Sequence, residues 1–167
     1  MKKIFSVTFL LVWLCSCSIS YKFNGASIDY NLTKSIALGH FINQAPLVYP
    51  PLEPRFNEAL KDKFTRNTRL QILNQGGDME MEGEIVGYEL TPLAVQEDAF
   101  AAETRLTMTV RMRFKNNKIE GQDKEETISA NRTFSSSRML TDVQDELVEQ
   151  LTKEIVDQIF NSTMANW

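Results

Sequence analysis

An α+β sandwich is the architecture this sequence predicts: two helices packed on one face of a mainly antiparallel four-stranded sheet. Three observations carry that expectation. Apolar residues recur every four positions over Leu52, Phe56, Leu60 and Phe64, and again over Val143, Leu147, Leu151, Ile155 and Ile159. This is the spacing of a helix with one buried stripe. Between them, Thr104 to Phe114 alternates apolar and polar residues without a break, as a strand does when one face meets a core and the other meets water.

The chain opens with Lys2 and Lys3, then an uncharged stretch from Ile4 to Leu14, the layout of a secretory signal. That stretch is far shorter than the roughly 20 apolar residues a membrane span requires. Leu14, Cys15 and Ser16 ahead of Cys17 resemble a bacterial lipobox, in which the cysteine is acylated and becomes the mature N-terminus. Residues 1–16 are therefore expected to be a lipoprotein signal peptide, 17–33 a lipidated tether with a short strand, and 34–167 a single α+β domain. A plain signal peptide with incidental cysteines is the competing reading. Ser18, where inner-membrane retention would place Asp, points to an outer-membrane anchor with the domain on the periplasmic side. Cys15 leaves with the signal and Cys17 carries lipid, so no thiol remains for a disulfide, a metal or a nucleophile.

With the signal removed, Lys+Arg falls from 18 to 16 against 22 Asp+Glu, a net charge of about −6. Nucleic-acid binding needs a basic face, so that partner class is excluded. Past the tether, Lys34 to Phe41 places Ile36 and Leu38 on one face of a strand. Four prolines between Asn43 and Pro54 then impose a stiff connector, the last of them suited to the first turn of the first helix. Arg69 to Leu73 reads as a short strand and Asn74 to Asp78 as a turn. Met79 to Leu90 changes parity near Gly83 and Gly87, which signals a bulge or a strand buried on both faces. Glu126 to Phe134 is a more polar strand, and Thr141 with Gln144 forms a capping-box pattern at the start of the last helix.

Catalytic or metal-binding constellations are missing from this pattern, and neither an enzyme nor a cofactor is expected. His40 is the sole histidine, and no Gly-x-Ser-x-Gly elbow accompanies Ser135 to Ser137. A small hydrolase is thus a weak rival. Glu80, Glu82 and Glu84 share a strand face, which reads as solvated rather than as a cation site. Two features are candidates for recognition. Arg105, Arg111 and Arg113 point one way from the alternating strand, with Arg132 on the next strand able to join them. Guanidinium forks bind phosphate or carboxylate, although cross-strand pairing with the three glutamates is the favoured alternative. The segment Pro46, Leu47, Val48 and Tyr49 is an apolar loop that could meet a partner.

The mature region resembles the lipopolysaccharide-assembly lipoprotein family LptE, in its Bacteroidota-type branch. The resemblance is carried by Phe41-Ile42-Asn43-Gln44-Ala45-Pro46-Leu47-Val48-Tyr49-Pro50, by Gly77-Asp78-Met79-Glu80-Met81-Glu82-Gly83-Glu84-Ile85 with Tyr88 and Thr91-Pro92, by Arg105 to Val110, and by Ile159-Phe160-Asn161 with Ala165-Asn166-Trp167. It implies a non-enzymatic plug and assembly partner for an LptD-type outer-membrane β-barrel, engaged in lipopolysaccharide transport to the outer leaflet. Lipopolysaccharide itself is a further expected partner, with phosphates that Arg105, Arg111 and Arg113 could contact. A free-standing periplasmic lipoprotein that chaperones another envelope component is the alternative.

Overall fold

The structure is a computed structural model that describes residues 28–93 and 102–164. The signal segment, Cys17 and the terminal Ala165-Asn166-Trp167 lie outside the described residues. Eight elements follow in order: β1 (Ser35–Leu38), β2 (Ile42–Asn43), α1 (Leu52–Asn67), β3 (Gln71–Leu73), β4 (Met79–Leu93), β5 (Glu103–Asn116), β6 (Lys124–Ser135) and α2 (Leu140–Met164).

Two helices and one sheet stand as expected, but the sheet is six-stranded and mixed rather than four-stranded and mainly antiparallel. Its order is β3-β1-β4-β5-β6, with β2 also paired to β4. The β4–β5 and β5–β6 ladders are antiparallel, whereas β1 runs parallel to both β3 and β4, and β2 parallel to β4. The cause is α1. A strand that enters a crossover helix returns in the same direction, so β1–α1–β3 forms a parallel pair. Periodicity within each strand carries no information about that direction.

The expected strand over 34–41 is also interrupted. Gly39 still donates to the Met81 carbonyl of β4, at 2.7 Å, but the chain then lifts so that Phe41 is fully buried. Its backbone is completed by Asn57 of α1, which accepts from Phe41 N–H at 2.8 Å and donates to Phe41 C=O at 2.9 Å. A side-chain amide thus replaces a strand partner, and β2 resumes on β4 at Ile42↔Glu84.

Helix α1 starts at Leu52 behind Pro51, with Pro54 in its first turn, where a missing N–H is harmless. It ends at Thr68, whose hydroxyl donates to Phe64 C=O at 2.7 Å. Leu52, Phe56, Leu60 and Phe64 are the buried stripe, each contributing about 1.5–3 kcal/mol on burial. They share one core with Met79, Met81, Ile85 and Tyr88 of β4, Leu106 to Phe114 of β5, and the α2 stripe that includes Leu147, Leu151 and Ile155. Phe64 meets Phe160 edge-on at 5.3 Å, and Lys63 pairs with Asp157 at 2.6 Å, locking the helices side by side.

The expected capping box is not formed. Helix α2 already begins at Leu140, and Gln144 donates instead to the Tyr88 hydroxyl at 2.8 Å. A buried phenol wants a partner more than an exposed helix end does. The parity change in β4 is a bulge: the register with β5 shifts between Ile85 and Gly87, leaving Val86 as the extra residue.

Candidate functional site

The sheet face opposite the helices is mainly polar, with Ala37, Ile42 and Leu73 as apolar members toward the β1–β3 side. Odd-numbered β5 residues point there, so Arg105, Arg111 and Arg113 do share a face. They do not form one cluster. Six residues separate Arg105 from Arg111, about 20 Å along an extended strand. Arg111 pairs with Glu84 at 3.0 Å, and Arg113 lies between Glu82 at 3.2 Å and Glu125 at 3.7 Å. Cross-strand register dictates these pairs, since Glu84↔Arg111 and Glu82↔Arg113 are directly opposed. Arg105 instead sits between Thr91 and Thr133 and has no ion pair among the described residues. A concavity of about 360 Å³ lies over the paired end, walled by His40, Ile42, Glu82, Glu84, Arg111 and Arg113.

Arg132 does not join this face. It opposes Leu106 in the ladder, which puts it on the helix side, where it contacts Glu154 at 2.7 Å and Gln150 at 3.1 Å. One residue of parity decides the matter. Glu82 and Glu84 are engaged by arginines, and among the described residues no group of three or more His, Cys, Asp or Glu could hold a metal ion.

His40 Nε2 is 2.7 Å from Glu53 Oε1, and the other oxygen of Glu53 accepts from Asn43 N–H at 2.9 Å. That backbone bond, then His40, hold the Glu53 carboxyl below its ordinary value. This histidine is a strut between the β1–β2 link and α1. Ser135 and Ser137 bond to each other at 2.8 Å, at the far end of β6.

The loop Pro46–Tyr49 is half committed. Val48 is 80% exposed, while Leu47 and Tyr49 pack against the core. The Tyr49 ring stacks on Tyr88 at 6.2 Å, and its hydroxyl donates to Asp145 of α2. Arg55 of α1 closes the latch, 2.8 Å from Asp145 and with its guanidinium 5.8 Å from the Tyr49 ring centre. Burial first, and the bond to Asp145 second, push Tyr49 up to about 12. Asp145 is held down by Tyr49 and Arg55. Arg55, Gln144 and Asp145 lie on the polar sides of their helices, and only their convergence in space reveals the latch. Within the sequence they are ordinary surface residues.

Such a domain offers recognition surfaces on a rigid sandwich: a polar sheet face with fixed ion pairs, and an apolar loop tip latched across both helices. Comparison with known proteins defines its class. Residues 33–163 match the LptE model, described as lipopolysaccharide-assembly, and the chain belongs to the LptE family. Its fold is shared with rare lipoprotein B from Shewanella oneidensis (14% identity, 77% of this chain and 92% of that one, TM-score 0.56). A putative neuraminyllactose-binding hemagglutinin homolog from Helicobacter pylori is similar too (10% identity, 87% and 90% covered, TM-score 0.54). So is a hypothetical protein from Chlamydia trachomatis (13% identity, 80% and 99% covered, TM-score 0.50). At such identities the likeness is one of fold alone. No curated protein matches the sequence.

Proposed function

We propose that the protein is an outer-membrane lipoprotein, cleaved after residue 16 and lipidated at Cys17, that acts as plug and assembly partner of an LptD-type β-barrel in lipopolysaccharide transport. It works by binding rather than by catalysis. Family membership over residues 33–163 carries this reading. The polar sheet face supports it, because its charges are paired across the strands and suit the polar lumen of a wide barrel. A lipid on Cys17 would hold the domain in the membrane of its partner and raise the effective concentration for docking.

Arg105 is the first candidate for a phosphate of lipopolysaccharide, since it is not engaged by a carboxylate among the described residues. Arg111 and Arg113 would have to exchange their glutamates for it. Val48, at the tip of the Pro46–Tyr49 loop, is the candidate apolar contact with the barrel.

The test is affinity capture of the tagged, lipidated chain from detergent-solubilised outer membrane, read by mass spectrometry. A stoichiometric large barrel is expected. Recovery of the chain alone would transfer it to the free-standing chaperone class. Unchanged lipopolysaccharide binding by the triple variant Arg105→Ala/Arg111→Ala/Arg113→Ala would remove the phosphate assignment without touching the barrel assignment.

A further inference from the structure

The solvent side of the helix layer carries a groove that the function above does not use. Arg55 of α1 bridges to Asp145 of α2 at 2.8 Å, and Lys63 to Asp157 at 2.6 Å. Early residues pair with early and late with late, so the two helices run in the same direction. The stretch between the bridges measures about 12 Å along α1 and about 18 Å along α2. Along it lies a groove of about 780 Å³, within the roughly 300–1,000 Å³ of ligand clefts. Its floor comes from Ala59 of α1 and from Thr152 and Val156 of α2, both buried.

Two observations point to what fits there. The first is charge. Glu58 follows Arg55 by less than a turn on one wall, and Glu149 follows Asp145 by about a turn on the other. Both are exposed, and neither has an ion-pair partner among the described residues. Glu146, on the wall of Glu149, receives the Gln150 amide at 3.2 Å but likewise no cation among those residues. Lys153 is the cation of the groove that they leave unpaired. Carboxylates on opposing walls repel each other until a positive group lies between them. Anions are therefore disfavoured, and among the described residues no group of three or more His, Cys, Asp or Glu could hold a metal ion.

The second observation is Thr152. It is 3% exposed, and its Oγ1 is buried with no hydrogen-bond partner among the described residues. A helical threonine commonly bonds to the carbonyl one turn back. This hydroxyl does not, and it stays available at the floor as donor or acceptor.

We propose that the groove seats a basic peptide segment of a partner protein, with one Arg or Lys side chain between Glu58 and Glu149. The charged head makes charge-assisted bonds to both walls, its methylene stem lies over Ala59 and Val156, and the segment's backbone meets Thr152 Oγ1. Arginine is the better fit, because its planar fork can serve a carboxylate on each side. The groove begins at the Arg55–Asp145 bridge, which also latches Tyr49, so a partner that touches the Val48 tip lies beside it. Under the function proposed above the barrel supplies the segment, and that identification rests on that reading.

Titration of the full lipidated chain in neutral detergent with acetyl-Arg-Ala-Arg-amide tests the groove directly. Saturable NMR shifts are expected at the Ala59 and Thr152 amides, with half-saturation on the order of millimolar. Glu58→Gln/Glu149→Gln should weaken binding by roughly tenfold. Glu120→Gln/Asp142→Asn, which removes the same charge elsewhere on the surface, should leave it unchanged. Thr152→Val should weaken binding roughly two- to tenfold while melting no lower than the parent, and Thr152→Ser should restore it; a merely structural threonine would not separate the two readouts. Equal binding of acetyl-Gln-Ala-Gln-amide, the same shifts with magnesium chloride, or parent-like binding by Glu58→Gln/Glu149→Gln overturns the proposal. In the captured barrel complex, a benzophenone cross-linker at Lys153 should attach to a barrel segment that contains Arg or Lys, and attachment only to segments without one also overturns it. A chain recovered without a barrel that still binds the tripeptide would strike the plug function and uphold the groove.

Discussion

Gly83 sits in β4 where a side chain has nowhere to go. A Cβ built there would lie 2.3 Å from Phe41 Cε1 and 2.4 Å from the Arg111 carbonyl oxygen. Neither neighbour can yield cheaply. Phe41 is fully buried and tilted against Phe56 at 5.3 Å, with its backbone clamped by Asn57. The Arg111 carbonyl belongs to the longest ladder in the sheet, opposite Glu84. Overpacking of this kind costs about 1–3 kcal/mol, and two rigid contacts place Gly83→Ala at the upper end or beyond. At about 2–4 °C per kcal/mol for a chain of this length, thermal unfolding followed by circular dichroism should show a fall of roughly 6–12 °C. Because the displaced ring belongs to the core, near-ultraviolet dichroism should change as well. A fall of less than about 2 °C would refute the reasoning, since Phe41 or the ladder would then have room to move.

Smaller and opposite effects are expected elsewhere. Arg111→Ala and Arg113→Ala each break exposed pairs worth about 0.2–1 kcal/mol, so each should lower Tm by under about 4 °C; a larger loss would mean the sheet face is a structural network. Thr152 is buried in α2 with a hydroxyl that has no hydrogen-bond partner among the described residues. Thr152→Val should therefore raise stability by about 1 kcal/mol, and a lower Tm would show that the hydroxyl is satisfied. Asp78 accepts from Lys34 N–H at 2.9 Å and from Ser35, and its carboxyl is held below the ordinary value, chiefly by the Lys34 backbone. A depressed folded pKa gives stability that is present above the unfolded value near ~4 and lost as pH falls through the folded one. Unfolding midpoints for Asp78→Asn should thus fall less steeply than the parent's below about pH 4; identical slopes would exonerate Asp78. Tyr49 has a raised folded pKa, so its stabilisation is complete below about 10 and lost toward about 12. Tyr49→Phe should reduce alkaline destabilisation, read by the same melts between those limits.

How much of this was legible in the sequence divides by the range of the cause. Helices α1 and α2, the alternation of β5 and the parity change in β4 are local patterns, and they appear where the periodicity places them. So do the Glu82–Arg113 and Glu84–Arg111 pairs, because two facing strands of opposite charge leave few other arrangements. Long-range causes were not legible. Nothing local distinguishes a strand that turns back in a hairpin from one that returns parallel after a helix, so the sequence does not show that β1 and β3 run parallel, nor that Ile42–Asn43 forms a strand at all. Whether Arg132 joins the odd-numbered arginines depends on the same register, which puts it on the helix face. Gln144 carried a genuine capping pattern, but Tyr88, 56 residues away, competed for it. Tyr49 looked like an exposed aromatic because its partners Arg55 and Asp145 are scattered along the chain.

The bulge at Val86 ties these parts together. Before it, odd-numbered β4 residues face the helices: Met79, Met81 and Ile85 are buried, and Glu82 and Glu84 meet the arginines outside. After it, Tyr88 faces inward and is fully buried, while Glu89 is exposed. Without the extra residue, strict alternation would send Tyr88 to the polar face and Glu89 into the core. The inserted residue thus allows one strand to carry two constructions of opposite parity, an ion-pair ladder at one end and a tyrosine seat at the other. Tyr88 in that seat stacks on Tyr49 and receives Gln144, and Tyr49 reaches Asp145 and Arg55. The exposed tip at Val48 is therefore positioned by β4, α1 and α2 together. Its orientation follows from a single residue added to a strand, about 13 Å from the Glu82–Arg113 pair on the same sheet.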